Sequence, residues 1–282
     1  DGSQKIIWNV DLETDEEITL TYEYQAPMIS PEWFLIGPLT VGSFMEYRVW
    51  QIASDANLTY VGSAEGSGTD NFSGWVEVAD LRANDDRDAN LSVNYKLMGP
   101  TPDTTVPVNT SVSTSYGAVT VAHVWRGVDQ STPLDVTTTT ATGTNSSAIN
   151  SPSITPTTSG AVVLTIGLST AAANAGDTSI TAPTDYINQA DHHGNGTSHS
   201  VQAGIASRAW TSGAFDPAAW TNITTSTSDS WTAATMALRP NGTLTYVGSA
   251  ENSGTSPYSL DLSSLSLQEG DIVIIATGWS HT

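Results

Sequence analysis

One segment of the chain occurs twice. The eight residues Leu58–Glu65 (LTYVGSAE) recur without change as Leu244–Glu251, and both copies continue with one variable residue and then Ser-Gly-Thr. The offset is 186 residues, and eleven of the twelve aligned positions are identical. Because this period is longer than that of the common solenoid repeats, it predicts a tandem array of whole domains rather than a stack of small repeating units.

The repeat divides the chain into three predicted parts. Residues 1–56 precede it, and the alternating segments Ile6–Leu12 and Ile18–Tyr24 predict a hairpin there, with a later strand at Met45–Ile52. We interpret this part as the C-terminal strands of an Ig-like or small β domain. Residues 57–242 form one repeat module, and residues 243–282 are the first strands of a second copy.

The sequence of the repeat module predicts a succession of strands separated by loops rich in Thr, Ser, Gly and Pro. No segment has the 3.6-residue apolar period of a helix. One segment, Ala161–Leu168, is apolar at successive positions and is therefore expected at the centre of a sheet. The other predicted strands are Leu91–Leu97, Ala118–Trp125, Ser200–Trp210 and Trp231–Leu238. This pattern predicts an all-β fold, an antiparallel and jelly-roll-like β-sandwich.

The composition excludes several classes of protein. Eight Lys and Arg against 29 Asp and Glu give a formal charge of −21, which repels nucleic-acid backbones and anionic membrane surfaces. No apolar run approaches the roughly 20 residues of a membrane-spanning helix. The chain has no cysteine, so it contains neither disulfides nor thiolate metal sites.

Several short motifs of the module carry a family resemblance. They are Val124–Asp129 (VWRGVD), Pro133–Asp135, Gly160–Leu164 and Ser230–Arg239. Together they resemble a β-sandwich repeat module of phage fibre or virion proteins and of large surface proteins of environmental bacteria. The strands at residues 8–12 and 18–22 are similar to the last two strands of Ig-like repeats in bacterial surface proteins. The resemblance implies a location outside the cell, on a cell surface or a virion, and a structural or adhesive role.

Four oxygen-bearing side chains lie two residues apart in one acidic segment. They are Asn84, Asp86, Asp88 and Asn90. This spacing is superficially that of a calcium loop, although the central Gly is absent and Tyr95 stands where an EF-hand has its bidentate acid. Calcium is thus the one cofactor that the sequence suggests, and a solvated turn between two strands is the alternative.

Two other sets of side chains are candidates for ligand binding. His192, His193 and His199 form the one histidine cluster, but their spacing fits no standard zinc motif, and a plain polar loop is the alternative. Three Trp residues near loops, Trp33, Trp210 and Trp220, could stack on sugars, but aromatic residues of a sandwich usually lie in its core.

The sequence contains no catalytic signature such as a nucleophile elbow, a zinc-protease helix or a phosphate-binding loop. We therefore expect a protein that is not an enzyme, and a polysaccharide depolymerase is only a minor alternative. The leading hypothesis is a structural subunit of an extracellular fibre, filament or virion appendage. The main alternative is a carbohydrate-binding surface adhesin whose partners are surface glycans.

The two copies of the repeat continue differently after the segment that they share. In the first copy the next Gly-Trp pair, Gly74-Trp75, begins 16 residues after Leu58, whereas Gly278-Trp279 begins 34 residues after Leu244. The extra residues contain five apolar side chains: Leu260, Leu262, Ile272, Ile274 and Ile275.

A tail of this length cannot bury these side chains by itself. We therefore hypothesise that residues 243–282 complete the sandwich of a neighbouring copy, so that copies assemble head to tail by strand addition. The alternatives are that the chain is cut within its second module, or that the first copy lost a hairpin.

Overall fold

We describe the fold from a computed structural model. It describes the backbone of residues 32–36, 39–41, 44–46 and 50–54, and then residues 74–281 except 86, 111–114, 145–147, 174–178, 222 and 224–228. The chain forms two compact units, Asp1–Tyr60 and Val61–Thr282.

The first unit contains four short strands among its described residues. They are β1 (Glu32–Ile36), β2 (Leu39–Val41), β3 (Phe44–Glu46) and β4 (Trp50–Ser54). Strand β1 pairs with β4, and β2 pairs with β3, both antiparallel. The strand predicted at Met45–Ile52 thus corresponds to parts of β3 and β4. The hairpin predicted at residues 6–24 lies outside the described residues.

The second unit contains twelve strands among its described residues. In chain order they are β5 (Val76–Ala83), β6 (Asp88–Leu97), β7 (Thr105–Val108), β8 (Ala118–Val128), β9 (Thr139–Thr144), β10 (Val162–Ala172), β11 (Ile187–Gly194), β12 (His199–Ala209), β13 (Ser230–Leu238), β14 (Pro240–Gly254), β15 (Tyr258–Asp261) and β16 (Ile272–His281). One turn of 3₁₀ helix at Ser263–Leu265 separates β15 from β16.

These strands form two packed five-stranded sheets. The β8 sheet has the order β14-β8-β16-β6-β5, and the β10 sheet has the order β11-β12-β10-β13-β9. Every pairing between the described strands is antiparallel. The structure therefore confirms the predicted all-β, antiparallel sandwich.

The main core lies between the two sheets and follows from period-2 patterning. In β10, Leu164, Ile166 and Leu168 point into this core, while Val163 packs on the other face against Ile154. Because β10 is apolar on both faces, it lies between β12 and β13, where both of its edges are also hydrogen-bonded.

The outer faces of the sheets are covered as well. A two-stranded ribbon of β7 and β15 covers apolar residues of the β8 sheet, among them Val124, Val273 and Ile275. Loop residues such as Ile149 and Trp220 cover the β10 sheet. The fold is consequently layered, with each sheet buried on both faces over part of its area.

The end of the chain contributes two strands to the β8 sheet of the same chain. Strand β14 crosses the predicted boundary at residues 242 and 243 and pairs with β8 as an edge strand. Strand β16 lies between β6 and β8. Residues 243–282 thus complete the sandwich that begins at β5, which differs from our expectation that they start a separate copy or join a neighbour.

Candidate functional site

An ion pair with a buried carboxylate joins β8 to the start of β16. The guanidinium of Arg126, on β8, donates to both carboxylate oxygens of Asp271, with Nε–Oδ1 and Nη2–Oδ2 distances of 2.7 and 2.8 Å. The Asp271 side chain is 0% exposed and that of Arg126 is 40% exposed. Asp271 also accepts from the Gln268 backbone N–H at 2.8 Å. The hydrogen bond to Asp271 raises the pKa of Arg126, so the guanidinium stays charged.

The five apolar residues predicted to mediate assembly are buried within their own chain. Ile272 and Ile274 lie in the core between the sheets. Ile275 lies in the outer cluster between the β8 sheet and the β7–β15 ribbon, together with Leu260 of β15 and Leu262. Their burial therefore requires no neighbouring subunit.

The residues of the predicted calcium loop have other partners. Asp88 is buried and accepts from Arg82 Nη2 at 2.5 Å and from the Asp85 backbone N–H at 3.0 Å. Asn90 is buried and donates to the Trp279 carbonyl at 3.3 Å. Asn84 is exposed, and Asp86 lies outside the described residues.

The three clustered histidines do not converge on one point. His192 and His193 lie on β11, whereas the His199 ring packs against Tyr116, with 5.3 Å between ring centroids, and its Nδ1 lies 3.1 Å from Ser280 Oγ. Within the part of the chain that the structure describes, no three His, Cys, Asp or Glu side chains are grouped to hold a metal ion.

A polar cleft lies where the edges of the two sheets approach each other. We call it the β11–β14 cleft, and its volume is about 650 Å³. Its lining residues are Ser179, Asp191, His192, His193, Asn195, Ser253, Gly254 and Thr255. Hydroxyl, amide, carboxylate and imidazole groups therefore share a space large enough for a small polar ligand.

Glu251 of β14 interacts electrostatically with two residues that line the cleft. Burial raises the pKa of Glu251, the nearby His192 lowers it, and Asp191 raises it. Two acids and one imidazole thus lie close enough to influence one another. Such a cleft suits a ligand with hydrogen-bond donors, such as the hydroxyl groups of a sugar.

A buried histidine of β8 lies next to the edge strand β14. His123 of β8 is 0% exposed, and its ring meets Tyr246 of β14 edge-on, with 5.2 Å between centroids. Tyr246 also contacts Trp125 at 5.3 Å between ring centroids. Burial lowers the pKa of His123 to about 3, so the imidazole is neutral at ordinary pH.

The tryptophans that are candidate sugar platforms are differently placed. Trp220 is fully buried, and its Nε1 donates to Thr165 Oγ1 at 3.2 Å. Trp210 donates to the Gly213 carbonyl at 3.0 Å and packs beside Phe215 at the edge of a small outer cluster. Trp33 belongs to β1, a strand described by its backbone alone. Trp220 is therefore a core residue.

Sequence reasoning missed the Arg126–Asp271 pair and His123. A signal for the pair was present, because an acid directly before the apolar strand Ile272–Ala276 must be neutralised if it is buried, and the chain has few cations. His123 gave no such signal, because a single histidine within the apolar segment Ala118–Trp125 is compatible with either face of a sheet.

No protein-family model, curated protein or solved structure matches this chain. Among the residues that the structure describes, no helix is long and apolar enough to cross a membrane.

The first prediction concerns the ion pair. Replacing Arg126 by Met leaves the buried Asp271 carboxylate without its cation, and we expect the free energy of unfolding to fall by about 1–3 kcal/mol, less than for a fully buried pair because Arg126 is 40% exposed. Urea denaturation measures this loss. Lys96→Met is the matched control, because the Lys96–Asp103 pair is 30% and 36% exposed and should cost about 1 kcal/mol or less. Equal losses in the two variants would contradict the importance of the Arg126–Asp271 pair.

The second prediction concerns pH. Below pH 6.5 the unfolded chain protonates His123, whereas the folded chain keeps it neutral down to about pH 3. The unfolded state therefore binds more protons in this window, and stability falls as pH is lowered, by up to about 1.4 kcal/mol per pH unit.

Denaturation of His123→Gln between pH 6.5 and 5 should show a smaller slope than the parent chain. His281→Gln is the matched variant, because it makes the same substitution at an exposed histidine. Glu251, whose raised pKa acts in the opposite direction, is common to all three proteins. A slope that is unchanged in His123→Gln would show that His123 titrates normally.

Proposed function

We propose that this chain is a structural subunit of an extracellular fibre, filament or virion appendage built from tandem β-sandwich modules. The observation that supports the proposal is the position of the two strands through which a pulling force would enter and leave the module. A chain that is pulled along a fibre enters the sandwich at β5 and leaves it at β16, and these two strands belong to one sheet.

The register gives the direction of the load. Val76, the first residue of β5, lies opposite Tyr95, which lies opposite Ile274 near the start of β16. His281 ends β16 at the other end of the sheet. The two ends are therefore separated by about 23 Å along the strands and only about 10 Å across them.

Tension between these ends runs nearly parallel to the strands. The hydrogen bonds of a sheet are perpendicular to its strands, so such tension shears many of them together instead of breaking them one at a time. Strand β16 is held on both sides, by ten residue pairs with β6 and eight with β8. This is a geometry suited to a load-bearing module.

The third prediction tests this role by single-molecule pulling. The chain has no cysteine, so handles can be attached through Val76→Cys and His281→Cys. We expect a higher unfolding force for this pair than for Ala172→Cys with His199→Cys, because these two residues face each other at one end of the β10–β12 ladder and would unzip it. The 172/199 pair is kept reduced until the handles are attached, since opposed cysteines otherwise form a disulfide. A force that is equal or lower for the 76/281 pair would count against the proposal, as would an absence of ordered polymers in electron micrographs of the native assembly.

The β11–β14 cleft favours a second function, a carbohydrate-binding surface adhesin. Its carboxylate, imidazole and hydroxyl groups can accept and donate hydrogen bonds to sugar hydroxyls. This function is compatible with a fibre, since a repeated module can present many weak sites.

The fourth prediction is a test of this second function on a glycan array. Asp191→Asn should weaken any bound glycan at least about tenfold, because a charged hydrogen-bond acceptor is lost from the cleft. Asp185→Asn removes an exposed acid that pairs with Arg208 outside the lining of the cleft, and it should leave binding unchanged. Absence of binding in the parent chain, or equal effects of the two variants, would remove the cleft as a glycan site.

A further inference from the structure

The edge strand β14 consists largely of the repeated segment. Residues Thr245–Gly254 pair with β8 from Arg126 to Ala118. Of the segment's apolar residues, Leu244 and Tyr246 pack against the main core, and Val247 and Ala250 pack against the outer cluster. The first copy has the same residues at the corresponding positions, Leu58, Tyr60, Val61 and Ala64.

The irregular geometry of β14 is also encoded in both copies. The ladder with β8 shifts register between Tyr246 and Gly248, and Gly248 has φ of 157°. A Cβ at Gly248 would lie 2.8 Å from Leu265 Cδ2, so a side chain is disfavoured there. The first copy has a glycine at the matching position, Gly62. The segment 58–69 thus has the same apolar residues and the same glycine that β14 has at this place in the sheet.

We infer that the edge of β8 is a strand-exchange site, which accepts residues 58–69 of a second copy of this chain in place of β14. The inference rests on the proposed function, because it supplies the contact between successive subunits of a fibre. Each copy offers its repeated segment to the next copy, so the contact is head to tail and does not close on itself.

The short reach of the chain favours a segment that comes from another molecule. In the register of β14, Gly68 would lie beside Ala118, at the level of Trp279, Asn90 and Arg82 in the neighbouring strands. Val76 of β5 is four strands away and five residue levels lower, since Val76 lies opposite Tyr95 and Arg82 lies opposite Asn90, and the straight-line distance is about 25 Å.

The eight residue steps from Gly68 to Val76 span at most about 28 Å when fully extended. The straight line between these points runs through the strands of the sheet, and any path around them is longer. The connection to the segment's own sandwich would have to be almost fully extended, whereas the segment of a second copy has no such limit.

Exchange should depend on concentration. The two copies of the segment differ at one position, where Asn252 donates to the Ser259 carbonyl at 2.7 Å and Gly66 has no side chain to do so. Strand β14 is also attached to its own sandwich, which gives it a high effective concentration. Isolated chains should therefore keep β14 in place, and copies aligned at high local concentration should exchange.

Disulfide trapping tests the inference directly, because the chain has no native cysteine. Ala122 of β8 lies directly opposite Ala250, and Ala64 is the equivalent of Ala250 in the first copy. Directly opposed Cβ atoms are close enough for a disulfide. The test variant is Ala64→Cys with Ala122→Cys, oxidised at increasing protein concentration and analysed on non-reducing gels.

Two variants serve as controls. Ala122→Cys with Ala250→Cys should close within one chain, which shows that cysteine at position 122 is accepted by the fold. Ser63→Cys with Ala122→Cys is a register control, since Ser63 corresponds to Ser249, which lies opposite His123 and on the other face of the strand. It should give few cross-links.

The expected result is a ladder of disulfide-linked dimers, trimers and larger species in the 64/122 variant alone. Cross-linking only within monomers, the absence of a ladder when the 122/250 control closes, or an equal ladder in the 63/122 control would overturn the inference. Native fibres without the 64–122 cross-link would refute strand exchange and leave the proposed function intact. A ladder in solution without any ordered native polymer would support exchange and count against the fibre.

Discussion

Strand β16 constrains the arrangement of the whole sandwich, because its backbone and both of its faces must be covered. Ile272, Ile274 and Ala276 project into the core between the sheets, and Val273 and Ile275 project to the opposite face. Both edges of the strand are hydrogen-bonded, to β6 and β8. A strand of this kind is stable only with a neighbour on each edge and a layer on each face. The β10 sheet supplies one of those layers, and the β7–β15 ribbon supplies the other.

The charged side chains of the second unit pair in a way that fits this arrangement of strands. The second unit has six Lys and Arg residues, and each of them lies within 4 Å of an Asp carboxylate. Four of these carboxylates, those of Asp88, Asp135, Asp229 and Asp271, have side chains that are 0–2% exposed. The scarce cations are therefore used mainly to neutralise buried acids, while the remaining acids maintain the strong negative charge. Each of the four pairs connects segments that a sandwich must bring together, such as β8 with the start of β16.

Local sequence patterns were sufficient to predict the strands but not their partners. Period-2 alternation and the apolar segment Ala161–Leu168 led to the all-β sandwich and to a central β10, because these patterns depend only on residues that are adjacent in the chain. The boundary at residues 242 and 243 was inferred from the repeat, and the structure instead continues β14 across it. A repeat marks where a sequence recurs, and strand pairing over more than 100 residues decides which sheet that segment joins.

Local sequence patterns were also insufficient to predict the partners of the candidate site residues. Alternating oxygen-bearing side chains at residues 84–90 suggested calcium. Asp88 and Asn90 instead alternate with the core residue Ala89 on β6, and Arg82 and the Trp279 carbonyl satisfy them. The β11–β14 cleft could not be predicted, since Asp191 and Glu251 are brought together only when the edges of the two sheets approach each other. Within this unit, the sequence is informative about which face a residue occupies and much less so about what lies across from it.

The edges of the sandwich favour specific contacts over general aggregation. An exposed regular edge invites pairing with any strand, and bulges interrupt the row of hydrogen-bonding groups that makes this possible. Strand β14 has two shifts of register against β8, and β11 has one between Ile187 and Ala190. A foreign strand that adds to the outside of β14 must match this irregular edge.

A segment that replaces β14 beside β8 meets a different requirement, since it needs the same side chains and the same glycine at the bulge. In this chain the one other segment with those residues is the first copy of the repeat. The irregularity that hinders indiscriminate strand addition therefore also makes the exchange site selective for this chain's own sequence.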